Sequence, residues 1–388
     1  MRIRSTCPGC GNELLAGEFQ LLRQPVVLNY RCPDIRRATQ IPRGDIHLRQ
    51  CQRCGLVFNA SFDPRKVLYD ENYENRQCFS PAFTTYLERM AQDLTHDYGL
   101  NRKSRVLEVG CGKGDFLRLL SRTSGAFCVG YDTSFEPPEG PEQPGVEFHR
   151  CYLRAQDIQD QHDAVICRHV VEHVPEIGQF LQELHAIAIA AKAGVVVLET
   201  PRFEWIAQHV CLWDVFYEHC NYFPTPGLAH ICRRSGFRVI RHRSVFGGQY
   251  QVLELSPERA SSHPPRPPGI RPTYGLGSFS AAAGRKLRAL ETLIQKKAGG
   301  GPWAVWGAGA KGVAFAHQLS KQPPSVVIDS NPMKQGGVIP GTRVPIVGPE
   351  DPSVKQLKWI LIANPNYARE IRQQLRQHEV TAAVSVLS

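Results

Sequence analysis

No stretch of this 388-residue sequence approaches the roughly 18 consecutive apolar residues that a membrane helix requires. A secretory signal is not supported either, because Met1-Arg2-Ile3-Arg4-Ser5-Thr6-Cys7 carries basic residues with no apolar stretch behind them. These two absences lead us to expect a cytoplasmic protein. Short-period repeats are missing as well, which excludes solenoids and propellers. A disulfide framework is also not indicated. The 13 cysteines are an odd number, and Cys128, Cys167 and Cys232 sit singly in apolar runs, as reduced thiols buried like small hydrophobes do.

What is present is an ordinary globular composition, 42% hydrophobic and 21% charged, in a length that suits two or three domains. The formal charge of +10 fits nucleic acid, and equally a polyanionic small substrate such as a nucleotide diphosphate. Residues 1–75 hold two cysteine pairs. The apolar positions Phe83, Tyr86, Leu87, Met90 and Leu94 then predict a helix within 76–100. From Arg105 to residue 255, short apolar strands alternate with helices, the pattern of a doubly wound α/β domain over 76–255. Phe237 to Ile240 and Tyr250 to Leu255 should close that sheet, antiparallel at its edge. Residues 256–275 read as a proline-rich linker, and 276–388 as a second Rossmann-like α/β unit beginning with a helix near Ala281 to Lys297.

Cys7-Pro8-Gly9-Cys10 and Cys51-Gln52-Arg53-Cys54-Gly55 form a CxxC…CxxC set, each with the tight turn that lets two thiolates face one metal. Structural zinc at Cys7, Cys10, Cys51 and Cys54 is the expectation, with Cys32 between the pairs leaving one ligand position open.

Val106-Leu107-Glu108-Val109-Gly110-Cys111-Gly112-Lys113-Gly114-Asp115-Phe116 reads as a strand, a glycine turn and a helix. Its GxGxG spacing differs from the GxGxxG of dinucleotide sites. The segment resembles class I S-adenosylmethionine-dependent methyltransferases, where this turn holds the methionine part of the cofactor. The resemblance places the ribose acceptor on Asp132, at the end of the next strand. Arg168 and His169 follow a later strand, at the carboxyl edge where ligands of open α/β sheets bind, so cofactor contacts are expected from Glu108, Gly110, Gly112, Gly114, Asp132, Arg168 and His169.

Phe216-Tyr217-Glu218-His219-Cys220-Asn221-Tyr222-Phe223 gathers aromatic, acidic and imidazole groups. With the order of zinc module, methyltransferase and trailing α/β unit, it resembles the zinc-containing sugar C-methyltransferases, which methylate a carbon beside the ketone of nucleotide-linked 4-keto-6-deoxy sugars. Their Tyr-His-Glu-His-x-x-Tyr-Phe motif falls on Phe216 to Phe223. That places the general base on His219 and its carboxylate partner on Glu218, with Tyr217 the nearest phenol in the motif because Phe216 replaces the family tyrosine. The family's helix histidine matches His173 in Val170-Val171-Glu172-His173-Val174-Pro175, and His169 replaces an asparagine. Tyr69 and Tyr73 lie where the family supplies a tyrosine, and Tyr73 joins the catalytic candidates.

In the trailing unit, Gly307-Ala308-Gly309-Ala310-Lys311-Gly312 is GxGxxG after a strand and suggests NAD when taken alone. The resemblance extends to Asp329-Ser330-Asn331-Pro332-Met333-Lys334-Gln335-Gly336. It implies instead that Gly307, Gly309, Lys311 and Gly312 help hold a nucleotide-linked small molecule, with Lys311 facing a diphosphate. The reading is therefore a C-methyltransferase using S-adenosylmethionine and structural zinc on a keto-sugar or similar carbonyl compound. The alternatives are an RNA-modifying methyltransferase with a zinc module, which lacks here the Asn/Asp-Pro-Pro-aromatic motif, and a non-catalytic cofactor-binding scaffold.

Overall fold

The computed structural model describes residues 3–67, 72–74, 76, 79–137, 141–258, 275–319 and 321–387. Tyr69 and most of the proline-rich segment lie outside them.

The amino-terminal chain folds as β1 (Leu15–Pro25), α1 (Ile35–Gln40), β2 (Arg43–Cys51) and β3 (Val57–Asn59). In β2 buried and half-buried residues alternate, the period-2 signature of a strand with one covered face. The sheet runs β1-β2-β3-β9, and its last member, β9 (Asn221–Tyr222), comes from the candidate active-site motif. Phe58 pairs with Asn221 and Val57 with Tyr222, so the cysteine-bearing sheet is welded to the segment that follows His219.

Helix α2 (Pro81–Asp97) starts where Ser80 caps the Phe83 N–H and Pro81 occupies the first turn, where its missing donor costs nothing. The central sheet comprises β4 (Arg105–Val109), β5 (Phe127–Tyr131), β6 (Val146–His149), β7 (Ala164–Arg168), β8 (Val195–Pro201), β10 (Arg238–Val245) and β11 (Tyr250–Ser256), in the order β10-β11-β8-β7-β4-β5-β6. It is flanked by α3 (Asp115–Ser124), α4 (Ile177–Ala190), α5 (Phe203–His209) and α6 (Thr225–Arg234). The pair expected to close the sheet antiparallel at its edge does so: β11 inserts between β8 and β10, and β10 takes the edge. Burial explains the order within the pair, since every residue of β11 is buried while β10 alternates with exposed positions and tolerates solvent on its outer face.

The carboxy-terminal unit opens with α7 (Leu276–Ala298), whose Phe279 packs edge-on to Phe19 of β1, 5.1 Å between ring centroids. It continues as β12 (Trp303–Trp306), α8 (Ala310–Gln318), β13 (Val326–Ile328), β14 (Ile346–Val347), β15 (Trp359–Ile362), α9 (Ala368–Gln377) and β16 (Ala383–Val386), a wholly parallel sheet ordered β14-β13-β12-β15-β16. The architecture is α/β, with an amino-terminal cysteine cluster and two Rossmann-like units. One apolar core joins Ile46 and Leu48 of the first sheet to Trp213, Phe315 and Val305, so the amino-terminal sheet wedges between the two units. No helix among the described residues is long and apolar enough to cross a membrane.

Candidate active site

The four cysteines converge. Sγ of Cys7 lies 3.6 Å from that of Cys54, and Cys10 Sγ 3.6 Å from Cys51 Sγ. Four thiolates about 2.3 Å from a tetrahedral zinc would stand roughly 3.8 Å apart. Each CxxC is closed by a glycine in the left-handed region, Gly11 and Gly55, whose N–H returns to the first cysteine's carbonyl at 2.9 Å. Cys32 resolves the open ligand position by lying elsewhere, packed with Ala38 and Val338. The residues fit a structural zinc site.

Behind β4, the three glycines have different reasons to be glycine. A Cβ on Gly110 would meet Val170 at 2.2 Å, and one on Gly114 would meet Phe148 at 2.4 Å, so packing forbids both. Gly112, at φ +56°, faces open space, leaving backbone free to approach a ligand. Its N–H donates to Asp132 Oδ2 at 2.8 Å, which fixes that carboxylate at the mouth of the turn. Glu108 is buried, its Oε2 without a hydrogen-bond partner among the described residues, and burial pushes its pKa up to about 7. An open cradle, an orphaned acceptor and a second carboxylate fit S-adenosylmethionine, which brings an ammonium and two ribose hydroxyls.

Arg168 and His169, expected as cofactor contacts, spend their polar atoms elsewhere. Arg168 Nε lies 2.6 Å from Glu199 Oε2 and its guanidinium stacks 4.3 Å over Phe116. Its Nη1 is 4.0 Å from Glu108 Oε1. His169 Nδ1 and Nε2 are each 3.3 Å from a carboxylate, Glu172 and Glu199 respectively. Burial opposes charge on His169, but Glu199 and Glu172 outweigh it and raise its pKa to about 9. The two residues hold the buried carboxylates of the donor side in place.

His173 and His219 meet edge to face, 4.8 Å between centroids, and His219 also leans on Phe216 at 4.0 Å. His173 Nδ1 bonds the Glu218 carbonyl at 3.0 Å, which directs Nε2 away from that carbonyl. Burial holds the His219 pKa well below its usual value, helped by the charges of His173, His169 and Lys311, so the ring is neutral and carries a free lone pair. The carboxylate beside this pair is Glu172, whose ligand atom lies within 4.8 Å of those of His173 and His219. Glu218, expected to orient His219, accepts instead from the Leu28 N–H at 2.8 Å and pairs with the Tyr73 phenol. Burial raises its pKa to about 7, and its Oε1 has no hydrogen-bond partner among the described residues.

Tyr217 turns away from this centre. Its hydroxyl accepts from the Asp63 N–H at 2.9 Å and its ring packs on Phe62, filling the space that the missing Gly44 side chain leaves. Tyr73 is the phenol that reaches the site.

A cavity of about 330 Å³ lies between the amino-terminal chain and the carboxy-terminal unit. Leu28, Asn29, Tyr30, Arg31 and Asn72 line one side, and Ala308, Met333 and Lys334 the other. Lys334 Nζ donates to the Ala308 carbonyl at 3.0 Å. Lys311, expected to face a diphosphate, is engaged elsewhere, 2.7 Å from Asp214 Oδ1 of the central unit and 4.8 Å from the Trp205 ring. Gly312 is demanded by packing, since a Cβ there would sit 1.7 Å from the Gly307 carbonyl, whereas Gly307 and Gly309 face open space. Sequence reasoning missed Lys334, Arg31 and Glu172. Lys334 stood in a quoted motif and Glu172 beside a chosen histidine, whereas no motif marked Arg31.

Comparison with known proteins bears on these units separately. Residues 83–242 match the family described as a methyltransferase domain, and residues 274–386 the family described as a C-methyltransferase C-terminal domain. C-methyltransferase NovU of Streptomyces niveus is 25% identical over 343 residues, covering 83% of this chain and 80% of that protein. A ubiquinone biosynthesis O-methyltransferase of Bradyrhizobium sp. (strain ORS 278) is 31% identical over 124 residues, 30% of this chain and 46% of that protein. Among solved structures, the 1,6-didemethyltoxoflavin-N1-methyltransferase of Burkholderia thailandensis is 19% identical, covering 45% of this chain and 80% of that one, with a TM-score of 0.34. The chain is a class I S-adenosylmethionine-dependent methyltransferase. Within that class it is related to the C-methyltransferases.

Proposed function

We propose that the protein methylates a carbon beside the carbonyl of a nucleotide-linked keto-sugar or a similar carbonyl compound, with His219 as the general base. The observation that carries this reading is the junction of site and cavity: the Leu28 N–H that holds Glu218 belongs to a residue lining the cavity, next to Arg31 and opposite Lys334. A diphosphate would find two cations there, and a sugar would find the orphaned Glu218 Oε1.

Glu108, Asp132 and the open face of Gly112 would hold S-adenosylmethionine, which when bound would provide an electrophilic methyl group. His219 takes the carbon-bound proton through its neutral nitrogen. The Tyr73 hydroxyl donates to Glu218 before substrate binds, and turning that proton to the enolate oxygen would stabilise the developing charge. Packing of Phe216 and His173 against the His219 ring limits its rotation and supplies orientation.

Mass spectrometry in heavy water tests the reading, using methyl-labelled S-adenosylmethionine and a panel of nucleotide-linked 4-keto-6-deoxy sugars. Methyl transfer, or deuterium entering beside the ketone, is the expected result, and His219→Ala should abolish both while leaving cofactor affinity intact. Neither signal from cofactor-binding protein would discard the sugar. Salt-sensitive RNA retention would then favour the nucleic-acid alternative.

A further inference from the structure

A neutral imidazole that accepts a proton in an enclosed site must carry a positive charge there, and burial has already made that charge costly for His219. The sequence offers Glu218 as the compensating group, but that carboxylate is committed to Leu28 and Tyr73. Glu172 is placed to do the work. It is 1% exposed, and its oxygen lies within 4.8 Å of the nitrogens of both His173 and His219. Thr200 Oγ1 donates to its Oε2 at 3.0 Å and His169 Nδ1 stands 3.3 Å from its Oε1, so both oxygens are held by groups on other parts of the site.

The backbone adds an independent sign. His169 adopts φ +53°, left-handed geometry that a non-glycine residue holds only under strain, and its own N–H is pinned to the Glu199 carbonyl at 2.9 Å. That strained turn is what brings the imidazole of His169 between Glu172 and Glu199.

We propose that Glu172 is the positioning carboxylate of the His173–His219 pair: it fixes the two rings and balances the charge that His219 gains when it takes the carbon proton. The inference rests on the assignment of His219 as base. Balance is simple, for the C–H electron pair remains with the substrate as the enolate and the proton becomes the second N–H of His219. Glu172 itself touches neither substrate nor cofactor. The groups that face it are His169, His173, His219, Thr200, Glu199, Tyr73, Tyr250, Cys167 and Cys220, so a pH effect must be read against all of them.

Glu172→Gln keeps the shape and an acceptor for Thr200 while deleting the charge. Kcat should fall by about 10²-fold, the low end of what general-base catalysis contributes, with KM and cofactor affinity little changed. The acidic limb of the kcat/KM profile should move to lower pH, because His219 loses the negative charge that favours its protonated form. Glu172→Asp should keep the limb in place with kcat lowered. Histidine NMR, with His219→Asn to assign its signal, reads the same downward shift of the His219 midpoint with no substrate present. An unmoved His219 midpoint in Glu172→Gln would overturn the proposal whatever the acceptor is. If the glutamine variant fails to fold, an aspartate variant with wild-type kcat would overturn it too. A shifted midpoint alongside no turnover of any keto-sugar by the wild type would uphold Glu172 and discard the sugar.

Discussion

Replacing Lys311 by alanine separates two roles for one side chain. As a diphosphate ligand it would affect substrate binding; as the partner of Asp214 it ties the carboxy-terminal unit to the central one. Asp214 is 7% exposed, and burial raises its carboxyl pKa in spite of the ammonium 2.7 Å away. Stranding one member of a buried pair costs ~3–5 kcal/mol. The lower end applies here, because Asp214 can take up a proton and the Lys311 side chain is 18% exposed. Loss of the cation over the Trp205 ring adds ~0.5–1 kcal/mol. The sum for Lys311→Ala is therefore about 3.5–4 kcal/mol of stability.

Denaturant unfolding followed by tryptophan fluorescence is a direct assay, since Trp205 and Trp213 stand beside the pair. Adding Asp214→Leu to Lys311→Ala should recover most of the loss, because the stranded carboxyl is then gone. KM for the nucleotide-linked substrate should stay put. A wild-type unfolding midpoint together with a raised KM would refute this reasoning and return Lys311 to the substrate.

Gly112→Ala should weaken S-adenosylmethionine binding in a calorimetric titration, since its methyl enters the open cradle at a φ of +56°, with a stability cost of about 1 kcal/mol. Metal analysis should find one zinc per chain, and Cys54→Ser should release it and lower the melting temperature, because the cysteines also pack against Leu56 and Ile231 in the core. Stability should fall as pH rises. Glu218, with a pKa near 7 in the folded chain against 4.5 free, contributes stability that is whole below about pH 4.5 and lost as pH climbs through 7. His169, raised to about 9 from 6.5, contributes stability that is whole below 6.5 and lost as pH climbs through 9. Glu218→Gln should therefore remove on the order of 3 kcal/mol of that decline, read by urea unfolding from pH 5 to 8.

What was legible in the sequence is what short segments determine alone. CxxCG encodes a turn and two thiolates within five residues, and the strand-glycine-helix text after Val106 encodes its own geometry. The place of β11 inside β10 was readable too, since a run buried at every position asks for neighbours on both sides. The errors share a different cause. Glu218 and Tyr217 are adjacent in sequence, yet their partners, Leu28 and Asp63, lie on different parts of the amino-terminal sheet region, and no local pattern says which way either side chain turns. Lys311 and Lys334 are both lysines in glycine-bearing motifs of the same unit. The start of α8 aims the first at Asp214, whereas the second is buried against Ala308 and the cavity.

The site is thus assembled by three segments distant in the chain. The donor side is contained within the central unit, where Glu108, Gly112 and Asp132 hold one another through strand pairing and a single 2.8 Å bond. The acceptor side is not. Tyr73 and Leu28 reach Glu218 from the amino-terminal chain, and Lys334 faces them from the carboxy-terminal unit, while β9 hydrogen-bonds the amino-terminal sheet immediately after His219. A change at the β3–β9 pairing should consequently disturb the acceptor side before the donor side. The cysteine cluster acts on the same junction: by anchoring the β2 end at Cys51, it steadies the sheet to which β9 is paired. The cysteine cluster and the proposed base are in this way parts of one mechanical unit.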